Sequence, residues 1–155
     1  MGDSGFSGAF FDLRPLALPV GARTLPRMKT SIEHDTDIAE IASRLIEFCR
    51  RGDFVGAQKA LFAQDAVSIE PEGSAHGKIT KGLTAIVKKS EAFSKAFEVH
   101  RTTVSEPVTA GKCFACSMTF DVTERSSGEQ MPLSEICVYE VRDGKVVREQ
   151  FFYEP

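Results

Sequence analysis

The chain has 155 residues, of which 42% are hydrophobic and 26% charged, and its formal net charge is −3. That length fits one domain with a core large enough to fold without disulfide staples. The slight acidity excludes a general attraction to polyanions, and no apolar run approaches the roughly 18 residues needed to span a bilayer, so neither nucleic acid nor membrane is expected as a partner.

Residues 1–30 read as a flexible N-terminal extension, because Gly2, Gly5, Gly8, Pro15, Pro19, Gly21 and Pro26 break any period. Asp3 and Asp12 stand where a secretory signal needs basic residues, so a cytoplasmic protein is expected. Residues 31–155 form the single domain. From Asp35, with Asp35 or Thr36 as cap, Ile38, Ile41, Ala42, Leu45, Phe48 and Cys49 follow the spacing of one buried helical stripe. Gly52 ends this helix, and Asp53 caps a second, shorter one.

A short strand is predicted over 66–70, stopped by Pro71, and a third helix over 83–97 buries Leu83, Ile86, Val87, Phe93 and Phe97. The lysines at 78, 81, 88, 89 and 95 read as its solvated face. Strands follow over 98–108, 113–122, 133–142 and 145–154. The second alternates with a clean period of two, and Asp143-Gly144 makes the last hairpin turn. Cys113 and Cys116 form a C-x-x-C pair, but residues three apart on a strand point to opposite faces, so the thiols diverge and read as small hydrophobes.

Helices grouped before strands predict an α+β fold: an antiparallel meander, strongly curved, wrapped around a long helix as a cone with an open mouth. A ligand pocket belongs in that mouth.

The chain resembles a known family. Arg51-Gly52-Asp53, then 61–66, Glu70-Pro71 and His76-Gly77 are similar to the front half of ketosteroid isomerases and SnoaL-like polyketide cyclases. Residues 143–153 resemble the last hairpin of SnoaL-like proteins, and the similarity runs from about 35 to 153. The resemblance implies the cone-shaped NTF2-like (cystatin-like) fold. One scaffold hosts isomerases, cyclases, dehydratases and plain binding or assembly domains, so the activity stays open.

In the isomerases an aspartate before a proline at the end of the first strand is the general base, and the resemblance puts Glu70 there. The isomerase's oxyanion donors fall on Leu45 and Cys137, neither a good donor, so a true steroid isomerase is not expected. Counted from the hairpin, Val147, Glu149, Phe151 and Tyr153 share a face aimed into the cone, and Glu135, Cys137, Tyr139 and Val141 share another. Glu149 or Glu135 is the candidate for a cyclase-type acid/base, although ordinary burial frequencies favour a Glu149 turned outward. His100, in a strand with Glu98 and Thr102 on its face, is a further acid/base candidate. Met118 and Phe120 are expected with Leu45, Cys137, Phe151 and Tyr153 around a small apolar organic ligand. The three histidines lack metal-ligand spacing, and no phosphate-cradling or dinucleotide motif occurs, so no metal and no cofactor are expected. An apolar outer sheet face with Ile136 and Val138 predicts a homodimer through the sheet. A cofactor-free enzyme, a non-catalytic ligand-binding or assembly module and a protein–protein adaptor all fit these features.

Overall fold

Helix α1 (Ser31–Arg50) opens the part of the chain that the computed structural model describes, residues 31–75 and 77–154, with side chains from Ile38 onward. The expected extension over 1–30 and His76 lie outside what is described, as does the side chain of His34; the helix begins at Ser31, four residues before the expected start, so Asp35 and Thr36 lie within it rather than at its cap. The α1 stripe buries Ile38, Ile41, Ala42, Leu45, Ile46 and Cys49, while Phe48 is half-buried. The helix stops where Gly52 turns to φ +73°, letting Gly52 N–H bond the Cys49 carbonyl and Asp53 N–H the Phe48 carbonyl. Asp53 then caps α2 (Phe54–Leu61), its Oδ1 accepting from Gly56 N–H at 2.8 Å.

Helix α2 runs straight into β1 (Phe62–Ile69), which begins four residues earlier than expected. A short β2 (Ile79–Lys81), unforeseen in the sequence, pairs antiparallel with it. Then come α3 (Leu83–Ala96), β3 (Phe97–Val104), β4 (Val108–Ala110), β5 (Cys113–Glu124), β6 (Gln130–Arg142) and β7 (Lys145–Phe152). The single strand predicted over 98–108 is two pieces, β3 and β4, separated at 105–107 around Pro107, which cannot donate to a ladder.

The sheet order is β2-β1-β7-β6-β5-β3, with β4 also on β5. It is curved and unclosed. It is mixed rather than purely antiparallel, because β1 lies parallel to β7. That pairing sets Ser68 of the first strand beside Glu149 of the last. The three helices cover the concave face, where Phe114, Leu45, Ile46, Leu61, Ile86 and Val122 are fully buried.

Three register shifts bend the strands, in β1 between Phe62 and Val67, in β3 between Val99 and Arg101, and in β7 opposite Glu140 and Val141. Each extra residue breaks the alternation and increases local twist. In β7 the extra residue is Val147: Val146 is buried opposite Val141, Glu149 sits opposite Tyr139, and Val147 is only half-buried. The expected inward position of Val147 is therefore taken by Val146. No helix among the described residues is long and apolar enough to cross a membrane.

Candidate functional site

Strand β1 inverts the usual pattern. Ala66, Ser68 and Glu70 point into the cone and are buried, while Val67 and Ile69 are half-buried on the outer side. A strand that turns its polar residues inward needs partners for them there. The partner is Lys89, on α3 one turn beyond Ile86, whose side chain is 11% exposed. Its ammonium pairs with Glu70 Oε1, donates to Ser68 Oγ at 2.5 Å and stands 3.9 Å from Glu149 Oε1. It also lies 4.9 Å from the centre of the Phe151 ring, on its face. Tyr153, just past β7, places its hydroxyl 3.0 Å from Glu70 Oε2 and 3.0 Å from Ser74 Oγ. Both oxygens of Glu70 are thus engaged.

These groups form one end of a cavity of about 700 Å³. Its walls are mainly apolar, lined by Phe54, Phe93, Phe97, Phe120 and Phe151 together with Leu45 and Met118. Phe54 and Phe93 pack against Phe120 at centroid distances of 5.7 and 6.0 Å. Glu135, from β6, enters the same space, and its Oε1 lies 3.3 Å from Cys137 Sγ. Lys89 is the one cationic side chain among the described residues lining the cavity, facing Glu70, Glu135, Glu149 and the exposed Glu154.

Burial disfavours charge, and neighbouring carboxylates add to the effect. Burial pushes the Glu149 carboxyl up to about 7 against the pull of Lys89 and a hydrogen bond from Ser68. Burial likewise pushes Glu135 up to about 7, with the charges of Glu70 and Glu149 adding to the rise and the Cys137 hydrogen bond opposing it. One oxygen of Glu149, Oε1, is buried without a hydrogen-bond partner, as is Oε1 of Gln58, whose Nε2 donates to Ser90 Oγ at 2.7 Å. Burial also raises the Tyr139 and Tyr153 phenols, so both stay protonated near neutrality.

The sequence matches the SnoaL-like domain family over residues 36–153. The chain belongs to that family. Among solved structures, the SnoaL-like domain is 36% identical to a Mesorhizobium loti protein provisionally assigned as a SnoaL-like polyketide cyclase and carbohydrate phosphatase, at a TM-score of 0.69, covering 75% of this chain and 98% of that one. Two more distant structures share the fold. One, from Xanthomonas campestris pv. campestris and provisionally assigned as a polyketide cyclase, is 17% identical, with a TM-score of 0.62 over 78% of this chain and 93% of that one. The other, TerC co-crystallised with polyporic acid, is 19% identical, with a TM-score of 0.64 over 76% and 92%. No curated protein matches the sequence significantly.

Of the residues singled out in the sequence, Glu70, Glu149, Leu45, Met118, Phe120, Phe151 and Tyr153 all line the cavity of the SnoaL-like domain. Cys137 is fully buried and does not line the cavity, its thiol held protonated by the hydrogen bond with Cys116, then by burial and the nearby Glu135. His100 is not brought to the site. It is the extra residue at the β3 register shift, is exposed, and bonds Thr123 Oγ1 at 2.8 Å through Nε2. Glu98, placed on the same face, is an exposed partner of Arg125 instead. The sequence reading missed Lys89, Ser68 and Gln58. The signal for Lys89 was its place three residues after Ile86, on the edge of the buried stripe.

Proposed function

We propose that this domain binds a small, largely apolar carbonyl compound and moves a proton on it without a cofactor, as an isomerase or cyclase does. The observation that supports this most is a single ammonium paired with Glu70 and Glu149, with the Glu135 carboxyl lining the same apolar cavity. Four such groups away from water cannot all be ionised with two negative charges in excess. Lys89 is paired with Glu70, and the surplus proton falls to Glu149 and Glu135, whose carboxyls burial raises. With both near 7, one is a carboxylic acid while the other is a carboxylate. The acid donates to the substrate's carbonyl oxygen as the carboxylate takes a proton from the neighbouring carbon; the newly protonated carboxyl then delivers that proton to another carbon as the enol O–H proton goes back to the first carboxyl, restoring both groups.

The base role foreseen for Glu70 passes in this reading to Glu149 or Glu135, because Lys89 and Tyr153 occupy both Glu70 oxygens. Glu70 becomes a positioning residue that keeps Lys89 in place. Names given to structurally similar proteins, polyketide cyclase among them, agree with a carbonyl-rich substrate.

The test is hydrogen exchange at carbon. A panel of aryl ketones and 1,3-diketones is incubated with the protein in D₂O, and loss of the α-proton signal is followed by NMR. Exchange above background that drops by about 10²-fold or more in Glu149→Gln is expected. No exchange above that of a Glu135→Gln/Glu149→Gln double variant, across the panel, would discard the activity. Binding without turnover is the second reading. It is favoured by Leu45 and Cys137 at the places where the isomerases carry oxyanion donors.

The same reading includes a homodimer through the outer sheet face, where Ile136 and Phe152 are neighbours on β6 and β7 and are 53% and 50% exposed. Four free cysteines suit a reducing, cytoplasmic setting.

A further inference from the structure

The polar end of the cavity contains unmet acceptors and no spare cation. Lys89, its one ammonium among the described residues, is committed to Glu70 and Ser68 and lies against the Phe151 ring. Among the described residues, the two buried side-chain atoms without a hydrogen-bond partner are both oxygens, Glu149 Oε1, with the Lys89 ammonium 3.9 Å away, and Gln58 Oε1, on residues only 3% and 6% exposed that line the cavity. Gln58 has its amide nitrogen already tied to Ser90, which leaves the carbonyl oxygen for something else. An unpaired buried acceptor is costly, and a ligand that donates to it removes that cost. A ligand carboxylate does the reverse. It brings another negative charge to a carboxyl-rich cluster that has one ammonium among the described residues, and it has no proton for either oxygen.

From this we propose that the ligand of the cavity carries a protonated amine on an aromatic-sized apolar body, and that the site rejects carboxylates and phosphates. The ammonium donates to Glu149 Oε1, with Gln58 Oε1 as an acceptor for a second N–H or O–H donor of the ligand. The apolar body lies among Phe54, Phe93, Phe97 and Phe120, whose ring faces carry partial negative charge that also favours a cation. The inference deepens the reading above by naming the charge class of its substrate, and it rests on that cavity being the ligand site.

Ionisation follows from it. The titratable groups lining the cavity around the bound ammonium are Glu149, Glu135, Glu70, the exposed Glu154, Lys89, the Cys49 thiol and the phenols of Tyr139 and Tyr153. An ammonium on Glu149 offsets the burial that keeps it protonated, so binding expels its proton, while the Glu149 charge helps keep Glu135 the acid. An aliphatic amine, with an ordinary value near that of lysine, stays charged throughout. Affinity for it therefore rises as pH goes from 5.5 to 8.

The experiment is calorimetric titration of the full chain with three probes of one shape, 2-naphthylmethylamine, 2-acetonaphthone and 2-naphthoate, at pH 5.5 and 8 in two buffers of different ionisation heat. At pH 8 the amine is expected to bind at least about tenfold more tightly than the ketone, with proton release and with no binding of the naphthoate. Glu149→Gln removes the amine's advantage over the ketone, and Glu135→Gln does so in part. The proposal falls if naphthoate binds as well as the amine, if the three are equal, or if none binds. α-Proton exchange on ketones without a preference for the amine sinks this inference alone, and amine preference without exchange on any ketone sinks the enzymatic reading alone.

Discussion

Lys89 stands where a lysine is usually solvated, on a helix with Lys88 and Lys95 exposed beside it, yet it is the residue around which the site is organised. Removing it leaves Glu70 buried without its counter-charge, which costs about 3–5 kcal/mol when the carboxylate must stay ionised. Lys89→Met is therefore expected to lower stability sharply at pH 8 and less at pH 5, with most of the loss recovered in Lys89→Met/Glu70→Gln. Urea denaturation of the two variants checks this. Glu149 and Glu135 make the opposite contribution. Their folded values near 7 lie above the ordinary 4.5, so the native state holds more protons than the unfolded chain between those limits. Stability present below about 4.5 is lost as pH rises toward 7, by up to about 1.4 kcal/mol per pH unit for each carboxyl. Glu149→Gln should flatten that decline, and denaturation midpoints from pH 5 to 8 measure it. Glu70 was legible because a proline follows it at a strand end. Lys89 was not, because one charge in a run of charges carries no mark of burial except its offset from Ile86.

At the scale of elements, α2 rests on an unusually close cap. A Cβ added to Gly56 would lie 2.2 Å from Asp53 Oδ2, so the glycine is there to let the carboxylate reach the Gly56 amide. Asp53→Ala is expected to cost about 1 kcal/mol through the lost cap. Gly56→Ala should cost a similar amount in the native background, yet stabilise the Asp53→Ala protein by up to about 1 kcal/mol through helix propensity. A double-mutant cycle by thermal denaturation reads the change of sign, and additive effects would refute the account. The helices were legible by period and the long strands by alternation. What period cannot carry is the extra residue of a bulge, which is why His100 and Val147 were assigned to faces they do not occupy. Nor does it mark β2, three residues long and held by its pairing with β1.

The whole molecule owes its site to a pairing that local pattern does not announce. Successive strands suggest a meander, but the parallel contact of β1 with β7 is what sets Ser68 against Glu149 and leads Tyr153 back to Glu70. Its outer face remains apolar at Ile136, Phe152 and Ile79, each about half exposed or more. Covering such a surface with a second copy predicts a dimer in light scattering at micromolar concentration, converted to monomer by Ile136→Glu/Phe152→Glu with the fold retained. A monomeric native protein would remove the homodimer from the reading.

The bulge at Val147 has one more implication. Its neighbours on either side, Val146 and Arg148, already stand in the order that plain alternation would require, so a chain lacking Val147 keeps Glu149 and Phe151 facing inward and loses only the bend. Shape and chemistry are thereby separable by a single codon. A one-residue deletion should yield a folded protein with every reacting group in place and a vessel of the wrong contour to hold its guest.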